Sequence, residues 1–176
     1  GSEMCIRDRH RGLGMTENKV DNTGAAVRIP PPVAGILTIV MGYLAGRVFP
    51  ILTTFDLPTP SRYWAGGLIV AASIGVLGVW PIQLFKASGQ NPTPWSETPE
   101  IIVLGPYKFT RNPMYLMMVL VCLGFAVILS EAWIVILTPA LAVALYQIAI
   151  KHEEAYLEKV FGDSYLDYKK SVRRWI

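Results

Sequence analysis

The chain has 176 residues, of which 52% are hydrophobic and 16% are charged, and its formal net charge is +3. Soluble domains carry about 25% charged residues, so this composition excludes an ordinary soluble protein and predicts a membrane protein of one domain. The small positive charge lies mostly in the terminal segments, which indicates membrane orientation rather than nucleic-acid binding.

The N-terminal segments are expected to lie outside the membrane domain. Residues 1–14 begin with Gly-Ser, are rich in arginine and precede Met15, a natural start. We expect them to be a cloning or sequencing scar, since they lack the apolar stretch of a signal peptide. Residues 15–32 are polar and end in three prolines, which predicts a flexible arm. Residues 33–176 are expected to form a single membrane domain.

Four apolar runs follow, and a bilayer core takes about 20 such residues as a helix. The predicted spans lie near 33–52, 63–85, 113–129 and 132–150. Only Ser130 and Glu131 separate the last two spans, which predicts a tight helical hairpin. The fold class is therefore all-α and polytopic, with about four transmembrane helices. Residues 151–160 continue the fourth helix, and a short helix over 164–174 completes a cytoplasmic C-terminal cap.

Basic residues predict the orientation of these spans, because cytoplasmic loops carry an excess of lysine and arginine. The N-terminal arm, the connection 86–112 and the C-terminal tail hold most of them. Both termini and that connection are therefore expected on the cytoplasmic side. The same topology brings residues 105–115 and 151–168 to one membrane mouth, since each segment adjoins one arm of the hairpin.

Residues 105–115, called the polar window below, concentrate polar and turn-forming side chains between two apolar runs. Pro113 suits the first turn of a helix, where its missing N–H has no partner in any case. Asn112 suits the N-cap position before it. Arg111 can hold a carboxylate through its fork of donors, or it can simply anchor the helix entrance as a positive charge.

Two adjacent glutamates, Glu153 and Glu154, directly follow the fourth apolar run. Neighbouring side chains on a helix point about 100° apart, so one carboxylate can turn inward while the other faces water or pairs with a cation. An inward carboxylate can bind ribose hydroxyls or a cationic group; the alternative is a solvated helix start. Likewise, Tyr107 and Tyr115 can stack on a flat ring or belong to the interfacial aromatic belt.

Two motifs in this order carry a family resemblance. They are Gly105-Pro106-Tyr107 with Arg111-Asn112-Pro113-Met114-Tyr115, and Glu153-Glu154 with Leu157, Phe161-Gly162, Tyr165 and Tyr168. Flanking a helical hairpin, they resemble the integral-membrane methyltransferases of the isoprenylcysteine carboxyl methyltransferase and phospholipid methyltransferase type. The resemblance covers roughly half of the chain, from Phe85 to the C-terminus.

This resemblance implies a multi-pass membrane enzyme that uses S-adenosyl-L-methionine at the cytoplasmic face. The implied reaction is methyl transfer to a lipophilic or small acceptor, which can be a thiol, a carboxylate or an amine. The implied cofactor contacts are Pro99, Glu100, Ile101, Ile102, Tyr107, Asn112, Pro113, Met114, Tyr115 and Glu153. The expected catalytic residues are Arg111 and Glu154, with His152 as a further candidate base, and residues 87–99 are a candidate closing loop.

Two positions depart from the family pattern. Asn112 stands where the family usually has histidine, and an asparagine can still donate and accept a hydrogen bond. Ala149 stands where isoprenylcysteine methyltransferases carry an arginine that is linked to the substrate. The prenylcysteine substrate is therefore not carried over, and Lys151 or Arg111 would have to replace that arginine.

Two other functions stay open from the sequence. Membrane sterol reductases share part of the C-terminal pattern and use NADPH, although they are much larger. A non-enzymatic membrane scaffold is also consistent, because Tyr165, Tyr168 and the basic residues after them can bind lipid headgroups. The sequence has no metal-ligand spacing. No Asp, Glu or Lys lies inside the apolar runs, which weakens a transporter function.

Overall fold

The computed structural model describes residues 30–50, 57–88 and 101–176, and these residues form helices and connecting turns with no β-strand. The helices are α1 (Pro31–Val48), α2 (Thr59–Ala87), α3 (Pro113–Leu129), α4 (Ala132–Phe161) and α5 (Asp163–Ser171). A short 3-10 helix, Gly105–Lys108, precedes α3. The expected scar at 1–14 and nearly all of the expected arm at 15–32 lie outside the described residues.

Three helices, α1, α2 and α4, are long and apolar enough to cross a membrane, at 18, 29 and 30 residues. Helix α3 is apolar but has 17 residues, the lower end of the roughly 17–25 that a membrane helix needs. It contacts α1, α2 and α4, so it lies in the middle of the bundle. The prediction of an all-α membrane protein with about four apolar helices is confirmed.

Prolines shift the helix boundaries away from the predicted spans. Helix α1 begins at Pro31, since a proline without an N–H is well tolerated in the first turn. It ends at Val48, because Phe49 precedes Pro50 and has a non-helical backbone. Helix α2 also begins earlier than predicted, with a proline in its first turn. Helix α4 continues without a break through the segment Lys151–Phe161.

Two π-helical segments interrupt the long helices, at Gly75–Val79 in α2 and at Tyr146–Ile150 in α4. Pro81 follows the first segment, and its missing N–H removes one helical hydrogen bond there. The second segment ends where the segment with Glu153 and Glu154 begins. Segments of this kind often lie at functional sites.

Glycines set the distances between the helices. A Cβ on Gly66 of α2 would lie 2.7 Å from the carbonyl oxygen of Gly124 in α3. A Cβ on Gly42 of α1 would lie 2.9 Å from the backbone nitrogen of Ile134 in α4. Such close backbone approach stabilises helix association in lipid, where the hydrophobic effect does not drive it.

The helix order places three chain segments at one end of the bundle. Gly66 of α2 packs beside Gly124 of α3, and Gly78 packs beside Met117, so the two helices run antiparallel. Helices α3 and α4 form a hairpin through Ser130, which adopts a left-handed backbone. The end of α2, the start of α3 and the C-terminal part of α4 therefore meet at the same end.

Candidate functional site

The polar window begins with a tight turn that directs a tyrosine inward. Gly105 has φ of +57°, and a Cβ there would lie 2.9 Å from Cε2 of Trp80, so glycine is required on both counts. Tyr107 is 8% exposed. Its ring packs edge-to-face on Phe85, with centroids 6.0 Å apart, which fixes the window against the end of α2.

Helix α3 starts at Pro113 with Asn112 at the N-cap position, as predicted. The Asn112 side chain makes no hydrogen bond to the helix. Its Nδ2 instead donates to the carbonyl oxygen of Arg174 at 3.2 Å. Thr110 Oγ1 donates to the same oxygen at 3.0 Å. The side chain expected to cap the helix therefore binds the C-terminal tail.

A tyrosine of α3 binds the first glutamate of α4. The Tyr115 hydroxyl donates a 2.5 Å hydrogen bond to Glu153 Oε1. Tyr115 is buried and Glu153 is partly buried. Tyr107 lies beside them: burial first, then Tyr168 and Glu153, raise the pKa of the Tyr107 phenol. Tyr107, Tyr115 and Glu153 form one group, called the tyrosine–glutamate cluster below.

The second glutamate points to two arginines. Glu154 is 6% exposed. Arg174 donates to its two oxygens through Nε and Nη2, at 2.9 and 2.8 Å. Arg111 Nη1 lies 3.2 Å from Glu154 Oε1. The two adjacent carboxylates therefore separate as the helix geometry indicated, one toward the tyrosines and one toward cations.

Arg111 is itself buried, since its side chain is 8% exposed. Besides Glu154, Tyr165 lies near it, close enough for the Arg111 charge to affect the pKa of the phenol. Burial first, and then the charge of Glu154, raise the pKa of Tyr165 to about 12, against the opposing effect of Arg111. The Arg111 guanidinium is thus enclosed by α4 and α5 rather than extended toward solvent.

The C-terminal tail, residues 172–176, crosses the polar window. The backbone N–H of Arg111 donates to the carbonyl oxygen of Arg173 at 3.0 Å. The Arg174 guanidinium also lies 4.7 Å from the ring centroid of Tyr146. Helix α5 ends at Ser171 rather than at 174 as predicted, because Val172 has an extended backbone. The carbonyls of Arg173 and Arg174 then bind the window.

Helix α5 closes the other side of the window. Tyr165, Tyr168 and Val172 form its buried stripe, and partly buried residues pack against them: Ile101, Val103, Leu157 and Phe161. The Tyr168 hydroxyl donates to the carbonyl oxygen of Tyr107 at 2.8 Å. The two tyrosines of α5 are therefore not part of an exposed headgroup-binding face.

The remaining residues singled out from the sequence divide into four groups. Pro113 is buried at the start of α3, and Ile102 and Met114 are partly buried nearby in the chain. Ala149 is fully buried in the core. Exposed on α4 are Lys151 and His152. Pro99, Glu100 and most of the candidate closing loop lie outside the described residues.

The sequence alone did not indicate Arg174 or Thr110 as parts of this site. Arg174 stands among basic residues that are typical of a cytoplasmic tail, and Thr110 makes its contact to a backbone oxygen. The one available signal was the spacing of Tyr165, Tyr168 and Val172, since positions i, i+3 and i+7 share a helix face.

Comparison with known proteins identifies a family whose sequence profile this chain matches. Residues 62–164 match the sequence profile of a family described as phospholipid methyltransferase, which is more than half of the chain. The matched range contains the polar window, the hairpin and both glutamates. The chain is also 43% identical over 65 residues to an uncharacterized protein of Haemophilus influenzae, covering 36% of this chain and 100% of that protein.

Proposed function

The chain belongs to the phospholipid methyltransferase family, and we propose that it transfers the methyl group of S-adenosyl-L-methionine to a lipophilic acceptor in the membrane. Family membership indicates methyltransferase activity and agrees with the resemblance of the two motifs. It favours methyl transfer over an NADPH-dependent reductase and over a scaffold. The observation that carries the cofactor assignment is the tyrosine–glutamate cluster at the end of the bundle.

The side chains of the cluster fit this cofactor. Glu153 has a second carboxylate oxygen beyond the one that Tyr115 binds, and a carboxylate accepts hydrogen bonds from ribose hydroxyls or an ammonium group. Tyr107 and Tyr115 offer aromatic surface to an adenine ring. The cofactor supplies, when bound, a methyl group that its sulfonium charge has already activated. A negative Glu153 also favours a cationic ligand.

The residues around the cluster would enclose the cofactor. Ile101, Ile102 and Met114 supply apolar surface, and they are partly buried beside the window. Asn112 and Pro113 hold the start of α3 in place. In this proposal the protein chiefly aligns the methyl donor and the acceptor. Holding both in a reactive orientation lowers the entropic part of the reaction barrier.

Arg111 and Glu154 are better suited to positioning than to proton transfer. Glu154 binds two guanidinium groups, and a carboxylate held between cations is a weak base. Arg111 lies beside it, with its side chain 8% exposed. We propose that this ion pair keeps the polar window and α4 in register, instead of the catalytic task expected from the sequence.

The ion pair between Glu154 and the two arginines also indicates the chemical class of the methyl acceptor. A carboxylate acceptor needs a cation, and the sequence offered Arg111 as one replacement for the missing family arginine. Arg174 makes two hydrogen bonds to Glu154 and Arg111 Nη1 lies 3.2 Å from the same carboxylate. Lys151 is exposed, and Ala149 is buried in the core. We propose that the acceptor is a lipid amine or a lipophilic thiol, and that it is methylated at the cytoplasmic face.

A methyl-transfer assay in vesicles tests this function. Purified protein is incubated with isotope-labelled S-adenosyl-L-methionine in vesicles of phosphatidylcholine alone or with phosphatidylethanolamine, and separately with an added prenyl thiol or an added prenylated carboxylate. We expect label in the amine lipid or in the thiol, but not in phosphatidylcholine, whose nitrogen is already fully methylated. Glu153→Gln should lose this activity. Label found only in an added prenylated carboxylate would contradict the acceptor assignment.

A further inference from the structure

We propose that Arg174 is a positioning residue that holds the polar window in its ligand-binding shape, an inference that rests on the proposed function. Arg174 contributes through both its side chain and its backbone. Its guanidinium binds Glu154 of α4, while its carbonyl oxygen binds Thr110 and Asn112 of the window. A single residue thus connects the helix that carries Glu153 to the loop that precedes Tyr115.

The side-chain half of this connection is a two-point ion pair. An arginine and a carboxylate that meet through two parallel hydrogen bonds fix orientation as well as distance. The guanidinium is further held over the Tyr146 ring, in the π-helical segment of α4. Arg174 therefore binds α4 at two places, one on either side of the turn that leads to Glu153.

The hydrogen bonds of the tail carbonyls to the window depend on the ion pair that the Arg174 side chain makes. The tail is in an extended conformation at Val172, so no helical hydrogen bonds hold the two residues that follow it. Its attachment to the window consists of three hydrogen bonds, from Thr110, Arg111 and Asn112 to the carbonyls of Arg173 and Arg174. Without the Arg174 side chain, the tail loses its two hydrogen bonds to Glu154 and its contact with the Tyr146 ring, and the two carbonyls lose the restraint that these contacts supply.

Loss of Arg174 would also leave the buried carboxylate of Glu154 with one arginine partner fewer. Glu154 is buried, and a buried carboxylate that loses a partner is strongly destabilised. Among the described residues, Arg111 would then be the one cation within 4 Å of it. Arg111 belongs to the window, so the change reaches Asn112 and Tyr115 through the chain. Arg174 itself does not contact the tyrosine–glutamate cluster, so its effect on a ligand there is indirect.

Arg173 provides a matched control. It is the neighbouring residue, it has the same charge, and its side chain is exposed. Replacing its side chain leaves its carbonyl oxygen, which accepts the Arg111 N–H, in the chain. Arg174→Gln and Arg173→Gln therefore change net charge equally but break different contacts. Arg174→Lys keeps the charge without the planar fork.

Two measurements separate this inference from the proposed function. Hydrogen exchange of peptides from residues 105–115, measured without ligand, should speed up in Arg174→Gln and stay unchanged in Arg173→Gln. Affinity for S-adenosylhomocysteine should fall at least about tenfold in Arg174→Gln, recover in part in Arg174→Lys, and stay within about twofold of wild type in Arg173→Gln. If Arg174→Gln does not fold, the lysine variant supplies both comparisons.

The outcomes are distinct. Unchanged exchange in the window of Arg174→Gln, or equal effects of the two glutamine variants, would overturn the positioning role. Equal behaviour of Arg174→Lys and wild type in both measurements would overturn the requirement for the planar fork. Wild-type protein that fails to bind S-adenosylhomocysteine would instead contradict the proposed function, while the exchange measurement would still report on Arg174.

Discussion

Tyr115 of α3 donates a hydrogen bond to Glu153 of α4, across a sequence separation of 38 residues. The hairpin makes this contact possible, because the start of α3 and the C-terminal part of α4 lie at the same end of the bundle. The bond joins the polar window to the helix that follows the last apolar run. This hydrogen bond therefore joins Tyr115, the last residue of the first family motif, to Glu153, the first residue of the second motif.

Tyr115→Phe should weaken binding of S-adenosylhomocysteine by about tenfold, because it removes the hydroxyl that orients Glu153 but keeps the ring. Calorimetric titration of the detergent-purified protein measures this change. Tyr156→Phe is the control, since Tyr156 is a partly buried tyrosine of α4, the helix that carries Glu153, and lies outside the cluster. Equal affinities of the two variants would argue against an orienting role for the Tyr115 hydroxyl.

Gly66→Ala should destabilise the bundle by roughly 1–3 kcal/mol, the usual cost of overpacking. The new Cβ would press on the backbone of Gly124, which cannot move without separating α2 from α3. Gly67→Ala is the matched control, because nothing lies within 4 Å of a Cβ at that position. Thermal unfolding in detergent compares the two, and comparable losses in both would show that the helix contact is not the cause.

Gly105→Ala should destabilise the fold, through both backbone strain and a steric contact. Gly105 has a φ of +57°, so its substitution incurs backbone strain of about 1–2 kcal/mol, and the new Cβ also meets the Trp80 ring at 2.9 Å. Thermal unfolding in detergent measures the loss, and an unchanged midpoint in Gly105→Ala would mean that the turn and the ring both adjust.

Stability should fall as the pH rises from about 10 to about 12. The pKa of Tyr165 is raised to about 12 in the folded protein, chiefly by burial, from an ordinary value of 10.0. Below the ordinary value the phenol is neutral in both states, so its full contribution is present. Between the two values only the unfolded chain ionises, which favours unfolding.

Tyr165→Phe tests that pH dependence. The variant has no phenol at this position, so its unfolding midpoint should decline less between about pH 8 and about pH 11 than that of the wild type. Tyr63→Phe, an exposed tyrosine of α2, should retain the wild-type decline. A decline in Tyr165→Phe that is as steep as in the wild type would assign the effect to other groups.

The helices and the hairpin were predictable from the sequence, because uncharged apolar runs of membrane length have few alternative structures. The place of the site was also predictable, since Pro113 begins a helix and Glu153 directly follows an apolar run. Helix geometry predicted that the two glutamates point in different directions. In the structure Glu153 binds Tyr115, while Glu154 binds Arg174.

The tail was not predictable, for a physical reason. Arg174 resembles any basic residue near a membrane, and what distinguishes it is a carbonyl oxygen that binds Thr110 and Asn112. Backbone acceptors are identical at every position, so sequence gives no indication of which one is used. The same limit applies to Gly66 and Gly67: both suit close packing, but only Gly66 faces another helix.

The most direct test of the account is calorimetric titration of wild type, Glu153→Gln and Glu158→Gln with S-adenosylhomocysteine. Glu158 lies on the same helix and pairs with Lys169 at the surface, so its variant controls for charge. We predict saturable binding by wild type and Glu158→Gln, and at least about tenfold weaker binding by Glu153→Gln. Folded wild type that binds nothing in detergent and in lipid, or Glu153→Gln that binds like wild type, would contradict it.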